Sequence, residues 1–193
     1  MADIATIKKL RDETGHAIAK CKEALEESGG DMEKAREVLR EKGALAAQKK
    51  ADRDLGSGVV QSYIHTTNRI GTMVELLCET DFVARNEEFV TLARDIAMHC
   101  AAFQPQYLAR DSMPAEVLEQ ITAELQEGAD ADKPAEVREK IVQGMLDAKL
   151  KEVVLLEQAF VKDDSRTITQ LIEEAVQKFG ERVEVGRFVV WVL

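Results

Sequence analysis

At Gly58 the spacing of apolar residues changes, and the change confines the chain to a mixed architecture. Before it, Ile4, Ile7 and Leu10, then Ile18, Cys21, Leu25 and Ser28, then Ala35, Val38, Leu39 and Lys42 fall into register at three or four residues. That is the period of helices with one buried face. After it, Val60, Ser62 and Ile64 alternate with Val59, Gln61, Tyr63 and His65, the period of a strand. The expected fold class is therefore α+β: an N-terminal three-helix bundle, then a core of a small antiparallel sheet covered by helices. The division is expected at residues 1–54 and 55–193.

Local signals place the other elements. Asp3 and Asp31 are expected to cap the first and third helices, Gly29-Gly30 to break the second, and Gly43 to end the third. KGALAAQKKADRD then reads as a helical linker with a basic end. Asn68 marks a turn between two extended runs, the second from Gly71 to Cys78. Asn86 is expected to cap a helix carrying Phe89, Leu92, Ala93, Ile96 and Cys100 that ends before Pro105. Ser112-Met113-Pro114 and Asp132-Lys133-Pro134 predict two more helix starts, because proline is tolerated in a first turn. Thr167 to Phe179 is amphipathic with Gly180 at its end, and VEVGRFVVWVL reads as a closing strand.

Charge and cysteine content narrow the function classes. Residues 1–55 carry equal numbers of acidic and basic side chains, so the formal net charge of −10 falls entirely on residues 56–193. Phosphate binding needs clustered cations, and the best cluster is Lys49, Lys50 and Arg53, which argues against direct nucleic-acid binding and for a protein partner. Cys21, Cys78 and Cys100 are odd in number and widely spaced, which indicates neither a disulfide framework nor a zinc site. No apolar run approaches the ~18 residues of a membrane span. The charged start, MADIATIKKLRDET, does not read as a secretory signal. A cytoplasmic protein with no membrane association, no metal and no cofactor is expected.

The stretch CETDFVARN, Cys78 to Asn86, sits between the second strand and a long helix. Thr80 to Arg85 reads as a loop held by rigid elements at both ends. Composition favours a Phe82 folded back on its own core. The alternative is a presented side chain.

ELLCETDFVARNEEF closely resembles the signature of the elongation factor Ts family, with Thr80, Asp81, Phe82 and Val83 in its TDFV loop. LRDETG and CKEAL near the start, and LLEQAFVKDD near the end, extend the resemblance over essentially the whole chain. It implies a guanine-nucleotide exchange factor of elongation factor Tu, acting without covalent chemistry. It also implies a ubiquitin-associated-like first domain and an α+β core for dimerisation and exchange. Thr80, Asp81, Phe82 and Val83 are then the exchange loop, with Phe82 wedged between partner helices and Asp81 disturbing the Mg²⁺ site of the bound GDP. Arg11, Thr14, Gly15 and Ile18 become the weaker N-terminal contacts. The chain departs from the family where His16, Ala17, Ile18 and Ala19 replace a glycine and paired methionines, where Lys20 replaces an aspartate, at Leu77, and where Ala159 replaces a proline. Longer members carry a second half-core; this sequence matches one, which implies a homodimer, and the apolar run RFVVWVL, Arg187 to Leu193, leaves a potential sheet edge for a two-fold partner to cover.

Two rival readings compete. One is an enzyme with a Cys78–His99 nucleophile pair, since a thiolate beside an imidazole is a competent nucleophile. The other is an adaptor whose N-terminal bundle binds ubiquitin or a nascent chain.

Overall fold

A computed structural model describes residues 3–128 and 134–193. Helices α1 (Ile4–Thr14), α2 (Ile18–Glu27) and α3 (Met32–Gln48) form the first unit. Ile7, Leu10, Cys21, Ala24, Leu25, Ala35 and Leu39 make its buried cluster. Ile4 and Ile18, expected on those apolar faces, are instead exposed, because each begins its helix, beyond the reach of the neighbouring ones. Asp31 caps α3 by accepting from the Glu33 and Lys34 amides, whereas Asp3 occupies the cap position of α1 without a side-chain bond.

Gly43 does not end α3. The helix continues five residues to Gln48, and Ala46 and Ala47 pack on the main core. A Cβ at Gly43 would stand 2.9 Å from Gln177 Nε2 on the neighbouring helix. The glycine permits a close approach between two helices.

The main sheet is antiparallel in the order β1 (Ser57–Ile64), β2 (Ile70–Cys78), β5 (Val183–Val192). Side-chain alternation sends Thr72, Val74, Leu76 and Cys78 of β2 into the core. Gly71, Met73, Glu75 and Leu77 point to the other side. Helices α5 (Glu87–Phe103) and α8 (Ile168–Phe179) supply Phe89, Ile96, Cys100, Ile168 and Val176 to the same core. Asn86 caps α5 as expected, accepting from the Glu88 amide, and α8 opens with a reciprocal capping box of Thr167 and Gln170. Asn68 makes its turn with φ 56°.

Between these lie α4 (Asp81–Ala84), the paired helices α6 (Ala115–Glu127) and α7 (Ala135–Val153), and a hairpin of β3 (Ala159–Phe160) and β4 (Asp163–Thr167). Pro114 and Pro134 stand at the cap positions of α6 and α7; Asp132 and Lys133 lie outside the described residues. Met113, Leu150 and Val154 seat the helix pair. Among the described residues, no helix is long and apolar enough to cross a membrane.

Candidate functional site

The expected loop after β2 is a single turn of helix, α4, because its entry and exit are both fastened. At the entry, Glu79 accepts from the Arg182 amide at 2.5 Å and from the Arg53 guanidinium at 3.2 Å. The amide bond is the main reason its carboxyl is held below the usual carboxylate range. Thr80 bonds Glu181 through both its N–H, at 3.0 Å, and its hydroxyl, at 2.6 Å. Cys78 Sγ donates to the Thr80 carbonyl at 3.2 Å. At the exit, Ala84 is buried and Asn86 starts α5.

The four residues of the TDFV segment are not equivalent. Val83 packs against the main core, while Thr80, Asp81 and Phe82 face solvent. Phe82 is 84% exposed, so it does not fold back on its own core. Asp81 pairs with Arg85 at 3.0 Å, one turn on.

The N-terminal candidates surround the α1–α2 turn. Gly15 has φ +70° and returns its N–H to Arg11, closing α1 in a left-handed conformation. Thr14 donates to the Leu10 carbonyl at 2.6 Å, Arg11 pairs with Asp12, and Ile18 is 52% exposed. A Cβ at Gly15 would meet Lys178 Nζ at 3.3 Å, and that same ammonium pairs with Glu88 at 2.7 Å. Lys178 thus lies against the α1–α2 turn while pairing with the first turn of α5, just beyond α4.

Further residues that spacing had not singled out join the two units. Lys20, on α2, donates to the Gln177 carbonyl at 2.8 Å, and Gln177 Nε2 donates to the Leu39 carbonyl at 2.6 Å. His16 lies buried nearby with Nδ1 unpartnered. Burial, with Lys20 and Lys178 close by, lowers its pKa to about 4. In the sequence, the departures at His16 and Lys20 mark this seam, and Gln177 carries no such signal.

Cys78 and His99 are not a nucleophile pair. Burial raises the Cys78 thiol, and its hydrogen bond goes to a backbone carbonyl. His99 is buried with both ring nitrogens engaged, Nε2 with Gln158 Oε1 at 2.9 Å and Nδ1 as acceptor from the Val161 amide at 3.2 Å. Cys21 and Cys100 are free and buried as well.

The protein is an α+β scaffold that leaves a large aromatic side chain in solvent on one clamped helical turn, while its sheet and helices bury the rest of the core. The chain belongs to the elongation factor Ts family. The family model described as elongation factor TS matches residues 3–193. Elongation factor Ts of Thermodesulfovibrio yellowstonii is 50% identical over 183 residues, covering 95% of this chain and 92% of that protein. Its counterpart in Synechococcus sp. is 51% identical over 193 residues, covering 99% of this chain and 75% of that protein. The one in Thermosipho melanesiensis is 46% identical over 190 residues, covering 98% and 97%. Membership makes the chain a translation elongation factor with a nucleotide-exchange role.

Proposed function

We propose that the chain binds elongation factor Tu in the cytoplasm and promotes GDP release through Asp81 and Phe82 of α4, with no covalent chemistry. The observation that carries this reading is the 84% exposure of Phe82 on a helix fastened at both ends. An aromatic ring offers on the order of 150 Å² of rigid apolar surface at little cost in rotamer entropy. It is therefore suited to entering a cleft between partner helices. Asp81, freed from Arg85, is placed to disturb groups that hold Mg²⁺, an ion that tolerates little departure from octahedral geometry. Residues 1–54, through Arg11, Thr14, Gly15 and Ile18, hold the partner while the core, 55–193, acts.

Release of labelled GDP from elongation factor Tu tests the proposal, with and without the chain. Linkage adds a second requirement: whatever factor the chain takes from GDP affinity, GDP must take from the affinity of the chain. Equal binding of the chain to nucleotide-free and GDP·Mg²⁺ elongation factor Tu rules out exchange, since a ligand indifferent to two states cannot shift between them.

A homodimer completes the reading, with its contact moved from the β5 edge to the open face of the sheet. Val60, Ile64, Met73, Val189 and Trp191 lie on that face and are exposed, Val60 and Trp191 by 55% each. An apolar face of this kind on three neighbouring strands marks a contact surface. A second copy can cover it face to face about a two-fold axis. Light scattering is expected to give twice 21.5 kDa, and Trp191→Glu to give the single mass.

A further inference from the structure

We propose that Glu181 is a positioning residue for the exchange helix, a role that rests on the exchange function proposed above. Glu181 stands in the turn between α8 and β5, about a hundred residues downstream of the helix it controls, and both of its oxygens are spent on one residue. Oε2 accepts the Thr80 N–H at 3.0 Å and Oε1 accepts the Thr80 hydroxyl at 2.6 Å. Thr80 occupies the cap position of α4 with extended backbone, φ −128° and ψ 157°. Its side chain makes no cap bond, because the hydroxyl is turned to Glu181. The Thr80 carbonyl is also engaged, by the Ala84 amide at 3.2 Å and by Cys78 Sγ. Every polar group of Thr80 is therefore committed, and the peptide plane from which Asp81 and Phe82 project is held on both sides.

A four-residue helix has too few internal bonds to set its own direction. What aims Phe82 is the residue before it, and what holds that residue is a carboxylate on another segment. The grip extends further: Arg182 gives its amide to Glu79 and its guanidinium to the Arg53 carbonyl at 2.6 Å. The segment leading from α3 thus meets the base of α4 at the same turn. Glu181 touches neither Asp81 nor Phe82 through a hydrogen bond; it acts through Thr80.

The test compares wild type, Glu181→Ala and Glu181→Gln in GDP release from elongation factor Tu, each titrated to saturation. Backbone order parameters of the free chain are measured alongside. Glu181→Ala is expected to lower the maximal stimulated rate about fivefold to tenfold, as befits losing two hydrogen bonds to a charged acceptor, with a smaller change in the half-saturating concentration. Order parameters are expected to fall at residues 80–84 and to stay unchanged in β2 and α5. Glu181→Gln keeps a carbonyl acceptor and is expected to restore part of both. A Glu181→Ala chain with wild-type maximal rate overturns the proposal. So does a loss of order spread through β2 and α5, or a rate that Glu181→Gln leaves as low as Glu181→Ala. If wild type itself does not stimulate release, it is the exchange reading that fails. Unchanged order at 80–84 in Glu181→Ala would then still dispose of the clamp.

Discussion

Phe82 and Phe89 stand seven residues apart on consecutive helices and meet opposite fates. Phe89 is fully buried and lies edge-on to Phe179, with ring centroids 5.7 Å apart and planes at 79°. Phe82 is bare. The difference lies in what holds each segment. Burial of Phe89, Ala93, Ile96 and Cys100 attaches α5 to the sheet, whereas α4 is attached by Ala84 and Val83 on one side and by the polar grip of Glu181 and Glu79 on the other. A segment whose largest apolar residue is left in solvent cannot use that residue as its own anchor. Short, directional hydrogen bonds replace it.

The contrast predicts its own largest effect. Phe89→Ala empties a packed site and is expected to cost roughly 3–5 kcal/mol of stability, read by thermal or denaturant unfolding. Phe82→Ala is the inverse case. Its stability is expected to stay within about 0.5 kcal/mol of wild type, while stimulated GDP release falls on the order of 30-fold, as for loss of an aromatic hot spot worth about 2 kcal/mol. A Phe82→Ala chain that melts like Phe89→Ala would break the comparison outright.

The seam between the two units sharpens the comparison at intermediate size. Gly43→Ala gains up to about 1 kcal/mol of helix propensity. However, it drives a Cβ to 2.9 Å from Gln177 Nε2. Gln177 is buried and bonded to Leu39, so it cannot swing away freely, and overpacking of this kind costs ~1–3 kcal/mol. A net loss of about 1 kcal/mol is expected in unfolding experiments. A net gain would show that the seam yields as an exposed polar contact does.

Smaller effects belong to the polar side. Lys178→Ala removes the ion pair with Glu88 beside the α1–α2 turn. Both partners are substantially exposed, so about 0.2–1 kcal/mol is expected, fading when unfolding is repeated in ~1 M salt. Glu79 gives the smallest. Its carboxyl is held below the usual range chiefly by the Arg182 amide. Its contribution is therefore fully present above the ordinary carboxylate value and drains as pH falls through that value towards the lowered one. Hydrogen exchange at the Arg182 amide, corrected for intrinsic rates, is expected to quicken below about pH 4.5 and to be flat near neutrality.

Much of the fold was legible because local chemistry and global packing agree in it. The two hydrophobic periods, Asn86, Thr167 and the prolines before α6 and α7 each act within a few residues of where they stand, and spacing alone exposes such signals. Gly43 misled for a physical reason: glycine serves equally at a helix end and where two helices touch, and only the partner helix, over a hundred residues away, distinguishes the uses. Ile4 and Ile18 misled likewise, since period marks a face but not whether anything covers it.

The order of the bundle helices, the β1–β2 hairpin, the long helices and the closing strand, the family signature around Thr80 to Val83 and the identity of the aromatic at its centre were determined by the sequence by itself. Tertiary structure decided that Thr80 to Arg85 is a helical turn, that Phe82 is bare and Val83 is not, that Glu181 clamps Thr80, and that Gln177 joins the helical bundle to α8. Periodicity is a property of neighbours along the chain. Exposure and clamping are set by residues that sequence distance separates and folding brings together, as Glu181 is brought to Thr80.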